Sequence, residues 1–249
     1  FLKKEPMSEK YFHPWYGAQE FINRSPRWCL WLGECPPNEL QKMPYCMKRI
    51  KAVRDFRLSS KRTSTNKLAD TPTRFQTENM PTGTYVVIPE KKKVSSEKRK
   101  YIPMGYMDDT VLCSNKVRIM PNATLYHFGI LESNVHMAWM RVVCGRLKSD
   151  YDYSIKIVYN NFPWPMHNEA QKEKIEQAAQ GILDARALYP DCSLAALYDE
   201  VTMPPELRKA HQANDRAVMQ AYGFWGKLNT ETACVAELMK MYQKLTERG

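Results

Sequence analysis

Apolar residues change their period several times along the chain, and each change marks a predicted element. The run Arg27-Trp28-Cys29-Leu30-Trp31-Leu32 is short, apolar and aromatic. It predicts a buried strand, punctuated by Pro36-Pro37. From Pro44 to Ser60, Cys46, Met47, Ile50 and Val53 recur at helical spacing, predicting a helix with Lys48, Arg49 and Lys51 turned away. Residues 84–120 read as strands. β-prone Tyr85-Val86-Val87-Ile88 comes first, then a charged loop from Glu90 to Lys100. Tyr101 to Met107 and Thr110 to Met120 follow as a predicted hairpin that turns at Asp108-Asp109. Phe128, Leu131, Val135, Ala138, Trp139 and Val142 predict one helix over 124–143, with Gly145 as its cap. A polar-aromatic stretch, Arg146 to Ser154, and a strand, Ile155 to Asn160, lead into Phe162-Pro163-Trp164-Pro165. The two prolines mark a domain boundary.

Past that boundary the pattern is helical. Glu169 to Leu188 carries Ile175, Ala179, Ile182 and Ala185 or Arg186 on one stripe. Glu206 to Tyr222 follows Pro204-Pro205, and Thr230 to Glu247 places Cys234, Leu238, Met241 and Leu245 three and four apart. The expected class is α+β: a mixed-sheet domain over 1–165 and an all-helical unit over 166–249.

Charge separates the same two regions. Of the 37 Lys and Arg and 27 Asp and Glu in 249 residues, residues 1–165 hold 27 and 15, a net +12; the remainder carries −2. A positive field confined to one part points to a polyanionic partner there. The seven cysteines are odd in number and none is spaced as CxxC, which argues against a disulfide framework or a structural zinc site and fits a reducing cytoplasm. No apolar run is long enough to span a membrane, and the opening residues lack a signal-peptide pattern. The chain opens on Phe1 rather than Met, so it is expected to be part of a longer polypeptide.

Catalytic motifs do not emerge. The ten glycines are scattered singly. Asn160-Asn161-Phe162-Pro163-Trp164 has the composition of an adenine-holding Asn-Pro-Pro-aromatic motif in the wrong order, and reads as a boundary loop with a packed tryptophan. No Walker loop, HExxH, GxSxG or PD-(D/E)xK core occurs. His127, His136 and Cys144 lie near one another in the chain, but Cys144 ends an apolar helix. Core roles are expected for them.

The order of several phrases carries a resemblance. They are Arg27 to Leu32, Val53-Arg54-Asp55-Phe56-Arg57 with Ser60-Lys61, Lys67-Leu68-Ala69-Asp70-Thr71-Pro72, and Arg99 to Gly105. Phe128-Gly129-Ile130-Leu131 through Arg141, Gly145 to Lys148, Tyr151 to Ser154, Val158 to Pro165, Asp184-Ala185-Arg186 and Met203 to His211 continue the series. Through these the chain resembles, over nearly its whole length, the C-terminal half of MmeI-like type II restriction–modification proteins and their methylase relatives. The resemblance implies a target-recognition domain similar to those of type I specificity subunits, then a helical C-terminal domain. An adenine-N6 methyltransferase domain would lie upstream in the same polypeptide. It further implies double-stranded DNA as partner and S-adenosylmethionine as cofactor of the intact enzyme, with no cofactor, metal or catalytic residue in this chain.

The resemblance also points to base-reading positions: Lys148 and Asp150, with Asp152, and Asn115 and Lys116 on the preceding strand. Lysine can donate to O6 and N7 of guanine, and aspartate can accept from N4 of cytosine. Lys148 with Asp150 is thus equipped to read one G·C pair, and Lys116 with Asp152 a neighbouring one. Arg54, Arg57, Lys61, Arg62, Lys91, Lys92, Lys93, Lys98, Arg99 and Lys100 are candidate phosphate contacts, which set affinity and register. Two other readings compete. In one, Tyr151, Tyr153, Tyr159, Phe162 and Trp164 stack the bases of single-stranded nucleic acid or RNA. In the other, the helical tail is a docking scaffold.

Overall fold

The computed structural model describes residues 1–78, 80–89, 98–147 and 150–247. In chain order the elements are β1 (Phe12–Tyr16), α1 (Ala18–Asn23), β2 (Arg27–Leu30), α2 (Pro37–Leu40), α3 (Pro44–Leu58), α4 (Thr63–Lys67), β3 (Tyr85–Pro89), β4 (Gly105–Met107), β5 (Leu112–Cys113) and β6 (Val117–Pro121). There follow α5 (Leu125–Leu131), α6 (Asn134–Val143), β7 (Gly145–Leu147), β8 (Asp150–Asp152), α7 (Glu169–Ala187), α8 (Leu194–Leu197), α9 (Pro205–Ala221) and α10 (Glu231–Thr246). The α+β class holds. Two compact units emerge: Phe1–Tyr16, Pro26–Met80 and Thr110–Asn115 form one, and Gly17–Ser25, Pro81–Asp109 and Lys116–Gly249 the other.

The first unit has a mixed sheet in the order β2-β1-β5, antiparallel between β1 and β2 and parallel between β1 and β5. The strand expected at Arg27 is present, but it lies at the sheet edge and is not buried: Trp28 is 65% exposed. Only Trp31 and Leu32, beyond the strand end, are buried. Leu32, Met43 and Cys46 form a small core with Tyr11, Leu30, Cys35, Leu40 and Ile50 against it. α3 matches its prediction in extent. Its expected apolar face goes inside only in part: Cys46 is buried and Ile50 packs against the core, while Met47 and Val53 are exposed.

The second unit is built differently. Its sheet is antiparallel, in the order β4-β3-β6. The hairpin predicted to turn at Asp108-Asp109 does not form, since β3 takes both neighbours and β5 pairs with β1. The run from Tyr101 to Met104 is buried yet lies outside any strand. Its amides are used elsewhere: Met104 N donates to Glu132 Oε1 at 2.5 Å and Ile102 N to Met137 Sδ at 3.5 Å. The predicted helix over 124–143 is two helices. At the break Glu132 is fully buried, and Ser133 caps α6 by accepting from His136 N at 3.3 Å. Gly145 opens β7 and is not the cap. The strand expected over 155–160 is a single wide turn, Ile155–Tyr159. Trp139 Nε1 donates to Val158 O at 3.0 Å, and Asn161 Nδ2 donates to the carbonyls of Lys156 and Ile157. Those carbonyls are therefore not offered to a neighbouring strand.

The three tail helices form as predicted, and all five stripe residues of α7, Arg186 included, are buried. α7 packs on α5 and α9, and α10 on α6. Gly129 permits the α5–α7 approach. A Cβ there would lie 2.7 Å from Ile175 Cγ2, and its carbonyl accepts from Asn214 Nδ2 at 2.8 Å.

A buried polar cluster ties these helices together. Arg186 donates to Glu132 Oε1 at 2.6 Å, to Met104 O at 2.7 Å, and through Nε to Tyr198 Oη at 2.8 Å. Since Tyr198 accepts from Arg186, its own proton points to His211 Nε2, 2.8 Å away. Desolvation lowers the Arg186 pKa, but Tyr198 and Glu132 more than offset it and keep the guanidinium charged. His211 is held neutral, because burial pushes its pKa far down with the Arg186 charge adding to the effect.

Candidate nucleic-acid interface

Alternation along Asp150-Tyr151-Asp152-Tyr153 builds the candidate reading surface. In β8 successive side chains face opposite ways, so Asp150 and Asp152 share one face and Tyr151 takes the other. Tyr151 and Tyr153 are buried, Asp150 is half-buried and Asp152 exposed. β8 pairs with β7 in the register Gly145↔Asp152, Arg146↔Tyr151 and Leu147↔Asp150. Arg146 lies over the Tyr151 ring at 4.5 Å, covering the inward face. A glycine opposite Asp152 leaves that carboxylate without a cross-strand side chain. Lys148 and Ser149, between the two strands in sequence, lie outside the described residues.

Beneath the hairpin, His136 Nε2 and Tyr153 Oη are 2.9 Å apart, and both side chains are buried. Burial pushes the His136 ring down to about 3, so the imidazole is neutral, and burial likewise raises the Tyr153 phenol. Arg99 belongs to the electrostatic surroundings of Asp150. Desolvation lowers the Arg99 pKa, while the charges of Asp199 and Asp150 raise it. Its guanidinium also donates to Ala195 O at 3.4 Å.

The other sequence-predicted residues are spread out. Asn115 and Lys116 form the exposed turn between β5 and β6 and are not on a strand; Asn115 closes a segment of the first unit, and Lys116 opens one of the second. Arg54 is exposed on α3, and Lys61 and Arg62 are exposed just before α4. Arg57 has a different task. It donates to Leu68 O, Thr71 O and Arg74 O at 2.7, 2.8 and 2.7 Å, clamping the chain that follows α3. Lys98 and Lys100 are exposed and Arg99 half-buried, whereas Lys91, Lys92, Lys93 and most of the charged loop lie outside the described residues.

The aromatic residues of the single-strand reading are mostly interior. Tyr151, Tyr153 and Phe162 are buried, and Tyr159 and Trp164 are half-buried within an aromatic cluster that includes Tyr126 and His127. Sequence reasoning missed the support beneath the hairpin. The acid–aromatic alternation over 150–153 was the available signal, and it was read only as a polar-aromatic stretch. All seven cysteines are free, and among the described residues no group of His, Cys, Asp and Glu could hold a metal ion. Among the same residues no helix is long and apolar enough to cross a membrane.

Two family descriptions match the chain end to end: "MmeI, target recognition domain" over residues 1–166 and "MmeI, C-terminal domain" over residues 167–248. A curated relative, DNA methyltransferase A of Bacillus subtilis (strain 168), is 39% identical over 247 residues, which is 99% of this chain and 28% of that protein. A solved structure, the type IIL restriction–modification enzyme MmeI in complex with DNA, superposes with a TM-score of 0.87 at 48% identity. It matches 99% of this chain and 32% of that one. The chain therefore spans about a third or less of the proteins it matches.

Proposed function

Because this chain belongs to the MmeI family, we propose that it is the double-stranded DNA recognition module of an adenine-N6 methyltransferase that uses S-adenosylmethionine. The observation that carries this reading is the β7–β8 hairpin, which turns Asp150 and Asp152 outward on two buried tyrosines, in a chain 48% identical to a protein solved on DNA. Residues 1–165 form the recognition domain and 166–249 the helical C-terminal domain. Lys148 and Asp150 read one G·C pair, and Asp152, Asn115 and Lys116 read beside it. Exposed Arg54, Lys61, Arg62, Lys98 and Lys100, together with Arg99, Lys91, Lys92 and Lys93, supply phosphate contacts.

The cofactor belongs to the methyltransferase domain of the same cytoplasmic polypeptide. This chain does not fit it: its described sheets are three-stranded and two-stranded, and no strand in them runs into a glycine-rich turn. The test is binding by the intact protein to duplex and single-stranded DNA across a salt series. Preference for duplex, with affinity falling steeply as salt rises, is expected. Equal binding to single strands, or binding indifferent to salt, would contradict the reading.

A further inference from the structure

Among the described residues, the hairpin that carries Asp150 and Asp152 joins no larger sheet. β7 and β8 are three residues each and, in the described structure, pair only with one another. A lone two-stranded hairpin is marginal in water, yet base reading tolerates displacements of only about 0.5 Å. Something outside the hairpin must set its position.

The geometry points to α6 as that support, and we propose that Asp215 and the His136–Tyr153 pair are positioning residues for base reading. The proposal rests on the base-reading role of Asp150. Tyr153 directly follows the last residue of β8, and its hydroxyl meets His136 Nε2 at 2.9 Å inside the protein. His136 stands in the first turn of α6. One residue before Val135, at the start of the helix, Asn134 N donates to Asp215 Oδ1 at 2.8 Å, while Tyr101 Oη donates to Asp215 Oδ2 at 2.6 Å. Asp215 belongs to α9 and is buried. A line of short polar contacts thus runs from α9 through α6 to the end of the reading strand.

Packing alone does not ask for this arrangement. Ser133 already caps α6, and a buried carboxylate is costly unless hydrogen-bonded. Burial raises the Asp215 pKa, and the hydrogen bonds from Tyr101 and Asn134 offset that cost only in part. What a directional carboxylate adds over an apolar contact is a fixed register for the helix, and therefore for Tyr153.

The experiment uses the intact protein and compares methylation rates on duplexes. One carries the recognition site; others carry single substitutions, including one at the pair whose identity shifts in the Lys148→Glu/Asp150→Arg variant. Tyr153→Phe should lower discrimination at that pair about tenfold. Discrimination at other pairs and low-salt affinity for unrelated DNA should stay within about twofold. Asp215→Asn, whose oxygen still accepts from Asn134, should lose less than Asp215→Ala. A uniform fall at every position, tracking only the folded fraction measured by thermal melting, would overturn the positioning role. If Asp150→Asn leaves discrimination at that pair intact, the base-reading role itself fails and the positioning role goes with it. Failure of Tyr153→Phe alone removes only the latter.

Discussion

α3 and α6 are both helices that the apolar pattern predicts, and they are held in opposite ways. In α6 every residue from Val135 to Met140 is buried, and only the last turn, with Val142 exposed, leaves the interior. In α3 one residue of fifteen is buried, and Tyr45, Met47, Val53, Phe56 and Leu58 face solvent among Lys48, Arg49, Lys51 and Arg54. Apart from Cys46 and Ile50, which pack on the small core, α3 is held at its ends. Glu5 accepts from the first-turn amides Tyr45 N and Cys46 N at 2.9 and 2.8 Å, and Arg57 clamps the segment after the last turn. Periodicity finds a helix in both cases. It does not say whether the apolar stripe belongs to a core or is left to the surface.

The largest test of this contrast is Arg186→Met, at the partner of Glu132 just before α6. It leaves Glu132 buried and unpaired, and should cost about 3–5 kcal/mol in urea unfolding. Adding Glu132→Leu should recover much of the loss; a double variant as weak as the single one would mean the ion pair is not the cause.

Next comes pH. His136 and His211 are neutral when folded, with depressed pKa values, about 3 for His136. An unfolded histidine binds its proton near pH 6.5, so their contribution is complete above that pH and is lost as pH falls through the window down to the folded value. Each should remove up to about 1.4 kcal/mol per pH unit in that window. Urea midpoints that stay flat from pH 7 to 5 would argue that these rings are solvated.

Smaller effects are expected at α3. Arg57→Ala removes charged hydrogen bonds to three carbonyls and should cost about 1.5–3 kcal/mol; an unchanged midpoint would return Arg57 to the phosphate contacts. Phe56→Ser, at a side chain 73% exposed, should move stability by less than about 0.5 kcal/mol. A larger loss would mean that α3 packs on its face after all.

The legible part of the fold was the part set by local signals. The tail helices matched closely because their stripes are regular and their starts are marked by Asn168, Pro205 and Thr230. Two expectations failed where a distant side chain captured the backbone: Glu132 takes the Met104 amide, and Trp139 takes the Val158 carbonyl. Neither pairing has a local signature. The break in the long helix does have one, the serine N-cap at Ser133, which the apolar period overrode. At the candidate site the acidic positions were legible through resemblance, whereas His136 and Asp215 were not. Each looks like an ordinary helical residue until α9 and Tyr153 are brought to it.

The most direct test of the base-reading claim is to map methylated adenines genome-wide by single-molecule sequencing. Cells would carry the intact protein or its Lys148→Glu/Asp150→Arg variant. The account predicts one asymmetric motif with N6-methyladenine in both, differing at a single G·C position. A motif unchanged at every position in the variant would contradict it.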